Sequence, residues 1–228
     1  GFWQLERAEE KSAISREFEL MRQQPPAPLT ELVELPQQQL AYRPVQLRGQ
    51  FHPQHYFLLD NKMVQGRYGN EVLGVFELAE GSPRLVLVNR GWVVADPGRR
   101  SLPDAPPVQG ELTLAGQVYV APGKPYMLAD KPLADGWPKR VQAVQLDKIA
   151  AALDVPVDEL FPYPVRIDAD DAAALYVDWP LVNVSPAKHF GYAVQWFLMS
   201  AVLAFLYLVR SSNLLAVLGN RGRTPDDR

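Results

Sequence analysis

FGYAVQWFLMSAVLAFLYLV, running from Phe190 to Val209, is 20 residues long and carries no charge. Gln195 and Ser200 are its most polar members. At a helical rise of about 1.5 Å per residue it reaches about 30 Å, the thickness of a bilayer's hydrocarbon core. No other part of the chain stays apolar for so long. A core helix of a soluble protein would normally carry a polar face, and this stretch has none. It reads as a transmembrane helix, which puts everything before it on one side of a membrane.

The remainder has the composition of an ordinary globular protein. The chain has 228 residues, 47% hydrophobic and 21% charged, with a formal net charge of -3. A mean hydropathy of -0.15 excludes a polytopic membrane protein. The acidic balance and a pI near 5.7 speak against a nucleic-acid partner, which calls for a basic patch or stripe. The tail from Arg210 carries four arginines (210, 221, 223 and 228) against Asp226 and Asp227. Basic residues beside an apolar helix tend to stay in the cytoplasm, so the tail is expected inside and the large middle domain outside. There is no cysteine. Disulfides and thiolate metal sites are thereby excluded, and so is the usual soft-ligand set of a copper carrier. The chain begins at Gly1 without a Met or a signal peptide. An exported domain needs a route across, so a first transmembrane helix ending just before Gly1 is expected.

The opening stretch, Phe2 to Gln24, has helical spacing at Leu5, Ile14, Phe18 and Met21. Charges of both signs cover its other faces, as on a solvated helix. Pro25, Pro26 and Pro28 stop it, because proline lacks the amide donor. From Tyr42 the period changes to two: Val45, Leu47, Gly49 and Phe51 alternate with polar residues, which predicts a half-buried strand. Tyr56 to Leu59 predicts a short strand closed by a turn at Asp60-Asn61. Further strands are predicted over Val72–Leu78, Leu85–Val94, Leu112–Val120, Val141–Leu146 and Tyr163–Ile167, with Gly91 marking a bulge or a close backbone approach. One short helix is predicted from Asp147, as its N-cap, to Leu153. Trp179 to Val184 is a last extended piece. Six to eight short strands with one small helix favour a mostly β, small α+β domain, a sandwich or partly open barrel.

Candidate chemistry is sparse. His52 and His55 are three apart around Pro53, in what reads as a strand connection, and no third ligand completes a metal site. The acidic loop Asp168, Asp170 and Asp171 has no neighbouring base and reads as solvated. No nucleophile turn or phosphate loop is present. His189 remains. It stands one residue before the apolar stretch, and helical steps from it reach Tyr192, Ala193, Trp196, Ser200, Leu203 and Tyr207. One face therefore carries an imidazole, two tyrosines and an indole. Such a face suits an interfacial aromatic belt; it also suits an imidazole serving as axial ligand to haem iron.

Several stretches together resemble one family. They are Trp3-Gln4 with Arg7 and Lys11, YRPVQLRGQF (42–51), LLDNK (58–62) with Gly66, VLVNRGWV (86–93), and Asn183, His189, Tyr192, Gln195 and Trp196. In this order they resemble the surfeit-locus (Surf/Shy) cytochrome c oxidase assembly proteins, of bacterial type, from Gly1 to about Arg210. The resemblance implies two transmembrane helices with a mostly β domain between them on the outer side, the first helix being absent here. It implies a non-enzymatic assembly factor that binds haem A and helps insert it into subunit I of a haem-copper oxidase. It places His189 as the metal-ligating residue, with Tyr192 and Trp196 covering the macrocycle. Arg90 is then a partner for a haem propionate, or alternatively one half of an ion pair inside the β domain. Expected partners are cytochrome c oxidase subunit I, a haem A synthase and membrane lipid. The expected place is the bacterial inner (cytoplasmic) membrane, with the domain periplasmic and the C-terminus cytoplasmic. The expected layout is a helix over 1–24, a β-rich domain over 25–184, a transmembrane helix over 185–210 and a tail over 211–228. The competing reading is a scaffold without cofactor that holds oxidase subunits or the synthase.

Overall fold

A computed structural model of the chain describes residues 1–121, 132–179 and 186–211. Asn183, the tail from 212 onward and most of the predicted last extended piece lie outside the described residues. The chain divides into two compact units: Gly1–Glu17 together with the chain from Pro180 onward, and Phe18–Trp179.

In chain order the elements are helix α1 (Phe2–Arg22), a two-residue strand β1 (Ala27–Pro28), short helices α2 (Leu29–Leu32) and α3 (Gln37–Leu40), and strands β2 (Pro44–Val64), β3 (Arg67–Leu78), β4 (Leu85–Val94), β5 (Leu112–Val118) and β6 (Lys139–Val141). Helix α4 (Leu146–Leu153), a 3-10 turn at Val157–Glu159, strand β7 (Val165–Ile167) and helix α5 (Pro186–Ser211) follow. The protein is α+β with one mixed sheet.

That sheet closes on itself. The 21-residue β2 is long enough to pair twice: Pro44–Gly49 lies antiparallel to β5, and Gly49–Val64 antiparallel to β3. β3 pairs β4, β4 runs parallel to β7, and β7 pairs β5, so the ladder returns to β2. Of the two expected forms, a sandwich or a partly open barrel, the barrel is the nearer, with its five strands closed into a ring, and closure removes the exposed edges an open sheet would leave. Alternation along the strands sorts the core. Val45, Leu47, Phe76, Val86, Val88, Leu114, Val165 and Ile167 share one cluster with Leu29 and Leu32 of α2. Their strand neighbours Val75 and Leu87 join Phe57, Leu73 and Ile149 in a second cluster, beneath α4. Strands buried on both faces read as continuous apolar runs, which is why Val86-Leu87-Val88 shows no alternation. Each fully buried Leu or Phe contributes about 1.5–3 kcal/mol on transfer from water.

Four local expectations change. Asp60-Asn61 is not a turn: β2 runs through it to Val64 with a register shift between Leu59 and Lys62. The kink is held by the buried Asp60 carboxylate, which accepts from the Asn61 amide, the Tyr68 hydroxyl and Asn70, and pairs with Arg99 at 3.2 Å. The reversal lies at Gln65 and Gly66, both with positive φ. His52 and His55 sit inside β2, in a second irregularity between Phe51 and Tyr56, not in a connection between strands. β6 ends at Val141, and the stretch to Gln145 leads into α4 instead of extending the strand. Asp147 falls in the first turn of α4, whose N-cap position is Gln145.

Candidate functional site

The unit formed by Gly1–Glu17 and the chain from Pro180 contains the predicted His189 site. α5 forms because nothing from Ala187 to Ser211 breaks it; this segment has a mean hydropathy of 1.8 and is long and apolar enough to cross a membrane. Its large side chains point outward, as a lipid-facing helix requires, and this suggests membrane association. Ala193 is fully buried, which bears on the small residue placed between the aromatics of the stripe.

The start of α1 lies against this helix. The Phe2 ring meets Phe197 edge-on with centroids 5.1 Å apart. Two residues on, the Gln4 side-chain amide oxygen lies 2.7 Å from Nδ1 of His189. Gln4, Tyr192, Gln195, Trp196 and Met199 line an open cleft of about 360 Å³. Tyr192 and Trp196 are each about half exposed, 52% and 53%, so their rings are available to a ligand. The structure thus places three predicted residues, His189, Tyr192 and Trp196, in the first turns of α5. Farther along the predicted face, Leu203 and Tyr207 stay exposed and line no part of this cleft.

The donor chemistry of this end is selective. A bare metal ion needs three or four protein ligands, and no group of three or more His, Cys, Asp or Glu gathers anywhere among the described residues. One imidazole beside apolar rings instead fits an iron whose other in-plane ligands come from a macrocycle. The residues present therefore fit haem and do not fit a free copper or zinc ion.

Arg90 belongs to the Phe18–Trp179 unit and is only 7% exposed. The ion pair weighed as its alternative role is not formed among the described residues. Its Nε donates to the Ala173 carbonyl at 2.9 Å and its Nη1 to the Pro106 carbonyl at 3.0 Å, while its guanidinium lies 5.4 Å from the Phe51 ring centroid. Burial holds it below the ordinary guanidinium range. The rest of the NRGW stretch is equally engaged. Asn89 donates to Glu71 and accepts from the Gly91 amide. The Trp92 indole donates to the Lys62 carbonyl at 3.1 Å, and its amide donates to Tyr176. Between Asn89 and Trp92, β4 holds one residue more than β3 opposite, so the expected bulge is present at Arg90-Gly91. The motif ties the 173–176 segment to the barrel.

Two arrangements were not legible in the sequence. The Arg166 guanidinium lies over Tyr119 at 3.5 Å and over Trp179 at 4.9 Å, and the Trp179 indole donates to the Ile167 carbonyl. This box fixes the last residue of the barrel unit. His52 and His55 stack with centroids 3.8 Å apart and planes 2° from parallel, and Trp137 stacks on His55 at 4.3 Å. Two parallel rings cannot aim their in-plane nitrogens at one ion, so the stack is no chelate as it stands. The acidic loop is structural in part: the Asp171 carboxylate accepts from the amides of Ala115 and Ala173.

A model of the SURF1 family matches residues 1–201 of the chain. A SURF1-like protein of Rickettsia felis (strain ATCC VR-1525 / URRWXCal2) is 23% identical over 223 residues, covering 95% of this chain and 92% of the relative.

Proposed function

The chain belongs to the SURF1 family, and on that premise we propose that it is a membrane-anchored assembly factor that binds haem A and passes it to subunit I of a cytochrome oxidase. Family membership suggests the coarse part, a role in cytochrome oxidase assembly. The observation that carries the finer part is the 2.7 Å contact between His189 and Gln4, which itself lines a cleft with Tyr192 and Trp196.

Haem A is cargo here, and when bound it supplies an iron able to accept one imidazole nitrogen. His189 would give that nitrogen. Tyr192 and Trp196 would cover the apolar ring face, where an aromatic surface replaces lipid or water. Met199 and Gln195 complete the cleft floor. The described lining of the cleft holds no carboxylate, so the hold would be a single bond from His189 plus apolar contact, which suits a carrier that must release. α5 would anchor the chain in the bacterial inner membrane with the barrel periplasmic and the basic tail cytoplasmic, following the positive-inside rule. Subunit I and a haem A synthase are the partners this role requires. Arg90 is committed to backbone carbonyls and takes a structural part in the barrel.

The test is haem content. Protein purified from membranes in which haem A synthesis is co-expressed is expected to show a bound-haem absorbance band, and His189→Ala to lose it. A colourless wild-type protein would favour the scaffold without cofactor.

A further inference from the structure

We propose that Gln4 is a positioning residue for His189: its amide oxygen keeps the ring proton on Nδ1 and leaves Nε2 as a free lone pair. The proposal deepens the haem reading and rests on it only for the consequence on haem, not for the tautomer itself.

The geometry gives the direction. A carbonyl oxygen only accepts, so an Nδ1 lying 2.7 Å from Gln4 Oε1 must donate. A neutral imidazole has one protonated nitrogen, so Nε2 is then the acceptor, the form that can bind a metal. Gln4 is itself placed by helix α1, whose first turn is closed by the Gln4 amide donating to Gly1 at 3.0 Å. The two residues are 185 positions apart, so the pairing is made by the two helices and not by local sequence.

The identity of the partner matters. Metal-bound histidines commonly donate their other N–H to a carboxylate or a carbonyl. A carboxylate would stabilise the imidazolium, which has no lone pair to give, and would make the neutral ring a stronger donor once bound. It would also be costly beside an apolar segment. An amide selects the tautomer without either effect. Gln4 thus prepares His189 to bind while keeping the bond weak enough to break, a setting fit for transfer rather than storage.

The experiment uses the full chain with nitrogen-15-labelled histidine in detergent micelles, without haem. The His189 signals are those missing from His189→Ala. The wild-type ring is expected in the Nδ1–H form. Gln4→Met keeps length and removes the acceptor, so the ring is expected to shift towards the Nε2–H form that dominates free imidazoles. A wild-type ring in the Nε2–H form, or a pattern unchanged in Gln4→Met, would overturn the proposal. With haem B as probe and apomyoglobin as acceptor, Gln4→Met is expected to weaken retention about 10- to 100-fold, the usual effect of losing such a partner. Gln4→Glu is expected to slow transfer. Identical transfer rates in all three proteins would overturn the consequence for haem. If wild type shows the Gln4-dependent tautomer but takes up no haem, the haem reading fails and the positioning stands.

Discussion

Gly91→Ala gives the sharpest test of how the NRGW stretch works. Gly91 has φ +114°, and a Cβ built there would lie 2.5 Å from the Tyr176 carbonyl oxygen and 3.0 Å from its carbon. Both atoms are backbone and cannot rotate away. The strained φ costs an L-residue about 1–3 kcal/mol. The Tyr176 carbonyl also accepts the Trp92 amide at 2.7 Å. Pushing it aside forfeits about 0.5–1.5 kcal/mol for that bond, more where the carbonyl stays buried without a partner. Together these give a loss of roughly 2–4 kcal/mol. Gly110→Ala is the control: φ there is +88°, with nothing within 4 Å of the added Cβ. It carries the backbone strain without the collision. Urea unfolding of the detergent-solubilised protein, followed by tryptophan fluorescence, reads both. Gly91→Ala is expected to be less stable than Gly110→Ala by about 1–2 kcal/mol. Stabilities that agree within about 0.5 kcal/mol, the usual scatter of surface substitutions, would refute the close-approach argument.

Arg90→Met strips the buried Ala173 carbonyl, and the more open one of Pro106, of their donor, and is expected to cost about 1–3 kcal/mol in the same assay. Unchanged stability with reduced haem content would instead make Arg90 a propionate partner. The His55 imidazole is held below its ordinary value of 6.5 by burial first, then by His52 and Lys139. As pH falls through 6.5 the unfolded chain takes that proton before the folded one does. Stability is therefore full above this range and drops below it, until the folded group is protonated as well. Melting temperature between pH 8 and pH 5 is expected to fall less in His55→Gln than in wild type. Asp168, its carboxyl raised chiefly by burial and lowered in part by Arg22, runs the opposite way: it favours the folded state at low pH, and Asp168→Asn is expected to flatten that limb.

What the sequence carried was what depends on near neighbours. Twenty uncharged residues are an apolar helix wherever they are placed, and Val45 to Phe51 alternate because one face of β2 is buried. The bulge at Gly91 was visible because only glycine tolerates that backbone. What escaped depends on pairings far apart. Closure of the barrel needs β2 to serve two partners, and a 21-residue strand with kinks at 52–55 and 60–61 reads locally as two strands and a turn. Arg90 was visible as a cation but not as a buried one, because its partners are carbonyls of residues 106 and 173, which leave no mark in the side-chain sequence. At the site, helical spacing alone grouped His189, Tyr192 and Trp196. Gln4 was out of reach for the same reason as the barrel: its place beside His189 exists only once α1 and α5 have met.

If His189 holds the cargo iron, an added imidazole can take its place in a variant that lacks the ring. His189→Gly, purified from membranes making haem A, is expected to be colourless, and to regain the haem absorbance band when imidazole is supplied during loading. Wild-type haem content in His189→Gly without imidazole would mean that His189 is not the ligand.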